Sequence, residues 1–202
     1  MKKNLALLFA LIGWFAVIAQ LFLMIENKIT PISEAVIRFF SFFTILTNIL
    51  VAIYFTGIVF IKNSNKLVHK PGVLTAITIY ILMVGSVYQI ALRNIWEPQG
   101  LQMVVDELLH SFIPVLVVVF WSMFEITKPV KYSQILKWMI YPVTYLIFIM
   151  VRGSFSNFYP YPFVDVVTLG MTEVLINSAI LLFVFIVISV IFLFIGKSII
   201  RR

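Results

Sequence analysis

The sequence predicts an all-α, polytopic membrane protein: one bundle of six transmembrane helices with both termini in the cytoplasm. Three observations predict it. First, 62% of the 202 residues are hydrophobic and 11% are charged, with a mean hydropathy of +1.10, against roughly 45–50% and about 25% in a soluble domain. Second, six apolar runs fall at Leu5–Ile25, Val36–Ile61, Val73–Leu92, Glu107–Phe124, Ile135–Val151 and Met171–Gly196. Each is long enough for a helix, and barrel-type alternation is absent. Third, eleven of the fifteen basic residues lie at the N-terminus (Lys2, Lys3), the second loop (Lys62, Lys66, Lys70), the fourth loop region (Lys128, Lys131, Lys137) and the C-terminus (Lys197, Arg201, Arg202). The positive-inside rule then puts those segments in the cytoplasm of a cell inner membrane.

The elements follow in order. The first run begins like a signal peptide, with cleavage conceivable after Ala19, but it continues apolar to Ile25 and predicts an uncleaved helix. The second carries Arg38, Ser41, Thr44 and Asn48, spaced three, three and four, which predicts one polar face on a continuous helix. The third leaves through Tyr88, Gln89 and Arg93, and the fourth enters through Asp106, Glu107 and His110. Pro114 and Pro142 predict kinks that free one backbone carbonyl each. The fifth span exits at Arg152 into RGSFSNFYPYPFVDVVTLG, too aromatic and proline-rich for a floppy linker and expected to roof the outer mouth. The sixth opens with Glu173 and Asn177 on one face.

Composition also excludes. There is no cysteine, so disulfides and thiolate chemistry are out. Two histidines, with His69 in a loop, make a multi-histidine metal site unexpected, and no cofactor is expected. The net charge of +7 is a loop-orientation signal rather than a nucleic-acid surface. The expected partners are membrane lipids or a lipophilic ester; the oligomeric state is open.

His110 is the most informative residue, because an ionisable side chain at membrane depth is expensive and functional by default. Counting depth gathers the polar groups into the outer halves of the spans, which predicts one polar pocket under the aromatic loop. The apolar inner halves disfavour a transporter. Thr44 and His110 fall at similar depth, so His110 is a candidate base for a Thr44 nucleophile. Asp106 or Glu107 would orient the imidazole from one turn away, and Asn48, Gln89 or Asn177 would stabilise an oxyanion. The bland alternatives stand beside these. Intramembrane threonines usually bond their own i−4 carbonyl, and His110 has the option of a purely structural interhelical bond. Arg38, Arg93 and Arg152 either hold anionic headgroups or snorkel.

Three segments carry a resemblance: FFSFFTILTN, LLHSFIPVLVVVFW, and YPVTYLIF with VRG and YPYPFVDV. Over essentially the whole chain they resemble a bacterial group of six-helix integral membrane proteins of unknown function. That group is similar to the eukaryotic androgen-induced and androgen-dependent membrane proteins, threonine hydrolases of fatty acid esters of hydroxy fatty acids. The resemblance implies a Thr44 nucleophile, a His110 base in the His110-to-Pro114 segment, and a Tyr161-Pro162-Phe163 stretch closed by Asp165. The expected function is an intramembrane lipid-ester hydrolase. The alternative is a non-enzymatic lipid-binding or small-solute membrane protein with a structural or proton-linked histidine.

Overall fold

The computed structural model describes residues 1–62, 66–95, 97–126 and 129–200, and every regular element among them is helical. Lys128, Arg201 and Arg202, which the charge count uses, lie outside the described residues. Six helical spans are long and apolar enough to cross a membrane: Lys2–Glu26, Phe43–Phe60, Val73–Leu92, Gly100–Phe124, Gln134–Ser156 and Met171–Ile199. The chain is therefore a multi-pass membrane protein.

Helix α1 (Lys2–Glu26) packs along α3 (Phe43–Phe60), with the short α2 (Ile32–Phe39) between them in sequence. Phe9, Phe55 and Phe120 interlock with ring centroids 4.9–5.8 Å apart, and Trp14 Nε1–H donates to Thr56 Oγ1 at 3.1 Å. Helix α4 (Val73–Val87) is the most enclosed of the spanning helices and runs into a π turn at Tyr88–Leu92. The fourth span is α5 (Gly100–Glu107), a second π turn at Leu108–Phe112, and α6 (Ile113–Phe124). The fifth is α7 (Gln134–Trp138) followed by α8 (Ile140–Ser156); a single turn, α9 (Val166–Leu169), precedes α10 (Met171–Ile200). Leu136, Phe155 and Phe183 on the outer faces are widely exposed, as lipid-facing residues are. Because successive spans alternate direction, segments 27–42, 93–95, 97–99 and 157–170 gather at one end, called the loop end below.

Two interruptions position everything that follows. Pro142 has no N–H, so it leaves the Trp138 carbonyl unserved and α7 separates from α8 at Met139. The Tyr80 hydroxyl takes that carbonyl at 2.6 Å. The second interruption corrects an expectation: the span expected over Val36–Ile61 is not continuous. It stops at Phe39, turns through residues 40–42 with Phe42 extended at φ −82° and ψ 126°, and restarts at Phe43. Four aromatics around one serine are poor helix formers, and the Ser41 hydroxyl bonds back to the Ile37 carbonyl at 2.7 Å. The exposed peptide groups find side chains instead of lipid. Tyr145 O–H donates to the Ser41 carbonyl at 2.8 Å, and Thr44 N–H donates to the Tyr161 phenol at 3.1 Å. Arg38, Ser41, Thr44 and Asn48 consequently do not share one helical face.

Candidate functional site

The break makes Thr44 the second residue of α3, where backbone N–H groups have no intrahelical acceptor and the helix dipole is positive. It also removes the usual sink for its hydroxyl. Ser41, Thr56, Thr78, Ser178 and Ser189 each donate to the carbonyl four residues back. Thr44 makes no such bond, because the residue four back, Phe40, lies outside the helix. Its Oγ1 lies instead 3.3 Å from the Tyr161 phenol oxygen.

Thr44 and Tyr161 line a cavity of about 90 Å³ between α3, α4, α8 and α10, walled by Met83, Val84, Leu146, Leu181 and Phe185 and by no charged side chain. Two other hydroxyls face it, and both donate elsewhere: Tyr145 to the Ser41 carbonyl and Ser178 to the Val174 carbonyl. Thr44 and Tyr161 are the two that donate to no backbone carbonyl.

The 157–165 segment that delivers Tyr161 is built, not loose. Pro162 holds Tyr161 extended at φ −136° and ψ 142°. The Tyr161 ring stacks on Phe163 (centroids 5.2 Å, 4°) and takes the Phe42 ring on edge (5.8 Å, 84°). Arg152 Nη1 donates to the Phe158 carbonyl at 3.2 Å, and Asn177 Nδ2 donates to the Phe163 carbonyl at 3.1 Å. Asp165 caps α9 through Val167 N–H at 2.9 Å. Tyr159 rests where a side chain on Gly153 would stand. Arg152, Asp165 and Asn177, expected in the pocket, thus tie down its roof. Burial pushes the Tyr161 phenol above its ordinary range, so it keeps its proton at neutral pH.

His110 occupies the second π turn. Pro114 cannot donate to the His110 carbonyl, and that oxygen packs where a Gly85 Cβ would come to 3.0 Å. The imidazole stacks on Tyr88 (4.2 Å, 15°). Its Nδ1 lies 2.9 Å from the Asp106 carbonyl and 3.3 Å from the Asp106 carboxylate. Both are acceptors, so Nδ1 carries a proton and Nε2 is the nitrogen left to act as a base. Tyr88 O–H donates to the other oxygen of Asp106. Of the two acids one turn away, Asp106 is the orienting one. Glu107 pairs with Arg93 at 2.5 Å and accepts from Ser111 at 2.6 Å, while Gln89 bridges Ser111 and Arg93.

No hydrogen bond joins Thr44 to His110. Asn48 bridges α3 and the residue before His110: its Nδ2 donates to the Thr44 carbonyl at 2.9 Å and the Leu109 carbonyl at 3.3 Å, and its Oδ1 is buried without a partner. Asn48 therefore spends both amide N–H groups on backbone carbonyls, and Gln89 and Asn177 each donate one to a protein acceptor. At the rim, Glu34 Oε1 accepts from Arg38 Nε at 2.7 Å and Arg152 Nη2 at 3.0 Å, and both guanidiniums flank the Phe158 ring. The Arg38 hydrogen bond, against a smaller cost of burial, holds the Glu34 carboxyl below the usual range. Sequence reasoning left Tyr145 and Glu34 out and gave Tyr161 only as part of the aromatic roof and of the stretch that carries the resemblance; the flanking prolines of YPYPF were the available signal for a fixed tyrosine. No cluster of three metal-ligating side chains occurs among the described residues. No family model, curated protein or solved structure matches the chain.

Proposed function

We propose that the protein is an intramembrane lipid-ester hydrolase. Thr44 is its nucleophile, and His110, oriented by Asp106, is its base. The observation that carries this reading is the state of the Thr44 hydroxyl: freed from its own backbone by the helix break, it faces an apolar cavity beside a phenol. The cavity takes part of an acyl chain. Thr44 Oγ attacks the ester carbonyl carbon, its proton goes to His110 Nε2, and the alcohol leaves with that proton. Water deprotonated by His110 then cleaves the threonyl ester and releases the fatty acid. Thr44 and His110 come within proton-transfer reach in the substrate complex, as loosely arranged catalytic groups do when a substrate closes the site. The resemblance to the androgen-induced membrane hydrolases supports the same pair.

The described lysines at the end opposite the loop end (Lys2, Lys3, Lys62, Lys66, Lys70, Lys131, Lys137 and Lys197) support cytoplasmic termini. The loop end then faces outward, and substrate enters from the outer leaflet of the inner membrane.

A second reading has its own observation: Tyr88, Asp106 and His110 satisfy one another, as in a structural cluster of a lipid-binding protein. One experiment separates the two. Wild-type, Thr44→Ala, Thr44→Ser and His110→Ala proteins in nanodiscs are given a fluorophosphonate probe and a fluorogenic long-chain ester. The hydrolase reading expects loss of labelling and turnover in Thr44→Ala and His110→Ala, with Thr44→Ser retaining part. Equal signals from all four folded proteins would leave lipid binding as the function.

A further inference from the structure

We propose that Tyr161 is a catalytic residue of the Thr44 site: its O–H is the donor that stabilises the oxyanion formed as Thr44 attacks an acyl carbonyl. This assignment rests on the hydrolase reading and deepens it.

The position comes first. The Tyr161 oxygen lies 3.3 Å from Thr44 Oγ1 and accepts the Thr44 N–H at 3.1 Å. In a tetrahedral adduct the attacking oxygen and the oxyanion are attached to one carbon, so a donor beside the first is beside the second. The proton comes next. Tyr145 and Tyr80 spend theirs on backbone carbonyls. Tyr161 receives a backbone N–H instead, and the acceptors beside its own proton are hydroxyl oxygens, Thr44 Oγ1 and the Tyr145 phenol, from which it can turn onto an incoming oxygen. The amide donors Asn48, Gln89 and Asn177 do not line the cavity, and each donates to a protein acceptor elsewhere.

The environment favours the role. A phenol retained in its neutral form donates at physiological pH. The ring is fixed by Phe163 and Phe42, and its segment is tied at the Phe158 and Phe163 carbonyls. The donor is therefore preorganised, which is where such stabilisation is largest. The positive end of α3 acts through the Thr44 N–H on the phenol oxygen and polarises its O–H. In the step itself the Thr44 Oγ–carbon bond forms and the carbonyl π pair moves to oxygen. The Thr44 proton passes to His110, and Tyr161 lends a hydrogen bond without losing its proton. Collapse returns the pair, breaks the bond to the alcohol oxygen, and the alcohol leaves with the proton from His110.

The test compares wild-type, Thr44→Ala, Tyr161→Phe and a protein with 3-fluorotyrosine at 161, in nanodiscs with a fluorogenic long-chain ester. Tyr161→Phe keeps the ring and is expected to lower kcat by about 10²–10³-fold with KM unchanged. The fluorinated phenol is more acidic, so its kcat is expected to fall with rising pH earlier than wild type does. A merely structural tyrosine moves neither kcat alone nor the pH profile. Wild-type kcat in Tyr161→Phe, or superimposable pH profiles for the fluorotyrosine and wild-type proteins, overturns the assignment while a Thr44-dependent hydrolase stands. Absence of turnover in wild type, or full turnover in Thr44→Ala, overturns the hydrolase reading and this assignment with it.

Discussion

Gly153 decides whether the 157–165 segment can sit over the cavity, and Gly153→Ala tests that directly. A Cβ at this position would stand 2.1 Å from Tyr159 Cε1 and 2.3 Å from Cζ. Ordinary contact begins near 3.4 Å, so the ring retreats by roughly 1.3 Å. Tyr161, two residues on, holds Thr44 at 3.1 and 3.3 Å, and a transmitted shift of about half an ångström takes both beyond hydrogen-bond length. The two bonds are worth about 1 kcal/mol each. The half-buried Tyr159 ring adds about 2 kcal/mol at about 25 cal/mol per Å² over roughly 80 Å². Docking of the segment is therefore weakened by about 2–4 kcal/mol, or roughly 30- to 1,000-fold in the docked-to-undocked ratio. Amide exchange of residues 158–165 and of Thr44 in nanodiscs reads that ratio, and ester turnover reads its consequence. Tyr159→Ala removes the obstacle, so the double variant is expected to match Tyr159→Ala alone. Wild-type exchange and turnover in Gly153→Ala, or an undiminished Gly153→Ala effect in the Tyr159→Ala background, would refute the reasoning.

Three further outcomes are expected. Asp106→Asn removes the carboxylate that helps to hold the proton on His110 Nδ1, and turnover is expected to fall by about 10²–10⁴-fold with the fold intact; a drop under about threefold counts against an orienting Asp106. Tyr80→Phe leaves the Trp138 carbonyl without a donor and is expected to cost about 1–3 kcal/mol in unfolding assays. In a Pro142→Ala background the restored N–H serves that carbonyl and the cost shrinks, so strict additivity of the two changes argues against the account. Glu34 has a lowered folded pKa, so its pairing with Arg38 and Arg152 contributes above the ordinary carboxylate range and is lost as the pH falls through the folded value. Glu34→Gln is expected to show that weakened state already at neutral pH, read as faster exchange at 158–165 and a flatter acid limb.

Six spans were legible because hydropathy reports length and composition directly, and loop charge supplied an independent count. The break in the second span was not, because FFSFF is as apolar as the helix it interrupts and hydropathy does not register backbone geometry. Its cause lies in Tyr145 and Tyr161, about 100 residues away in sequence, which supply the partners that make an interruption tolerable. The same limit explains the sorting of the polar residues. Depth counting brought His110, Asp106 and Tyr88 to one level, and the structure joins them. It brought Arg152 and Asn177 to the outer halves too, and the resemblance added Asp165, yet all three bind the roof segment rather than face the cavity.

The two interruptions of the bundle explain why the proposed reactivity falls at Thr44. A membrane helix can be broken only where side chains replace the lost backbone bonds, and tyrosine does this three times here. At Trp138 and Ser41 the freed group is a carbonyl, so Tyr80 and Tyr145 surrender their protons and become inert. At Thr44 the freed group is an N–H, so Tyr161 surrenders a lone pair and keeps a proton to offer. The direction of the chain across the break sets that difference: a helix that restarts presents N–H groups, and with them the positive end of its dipole. A restarting helix within a membrane-spanning bundle thus leaves, beside one threonine with no i−4 acceptor, a donor and a favourable field for negative charge. Those are the elements that an attack on an ester carbonyl requires.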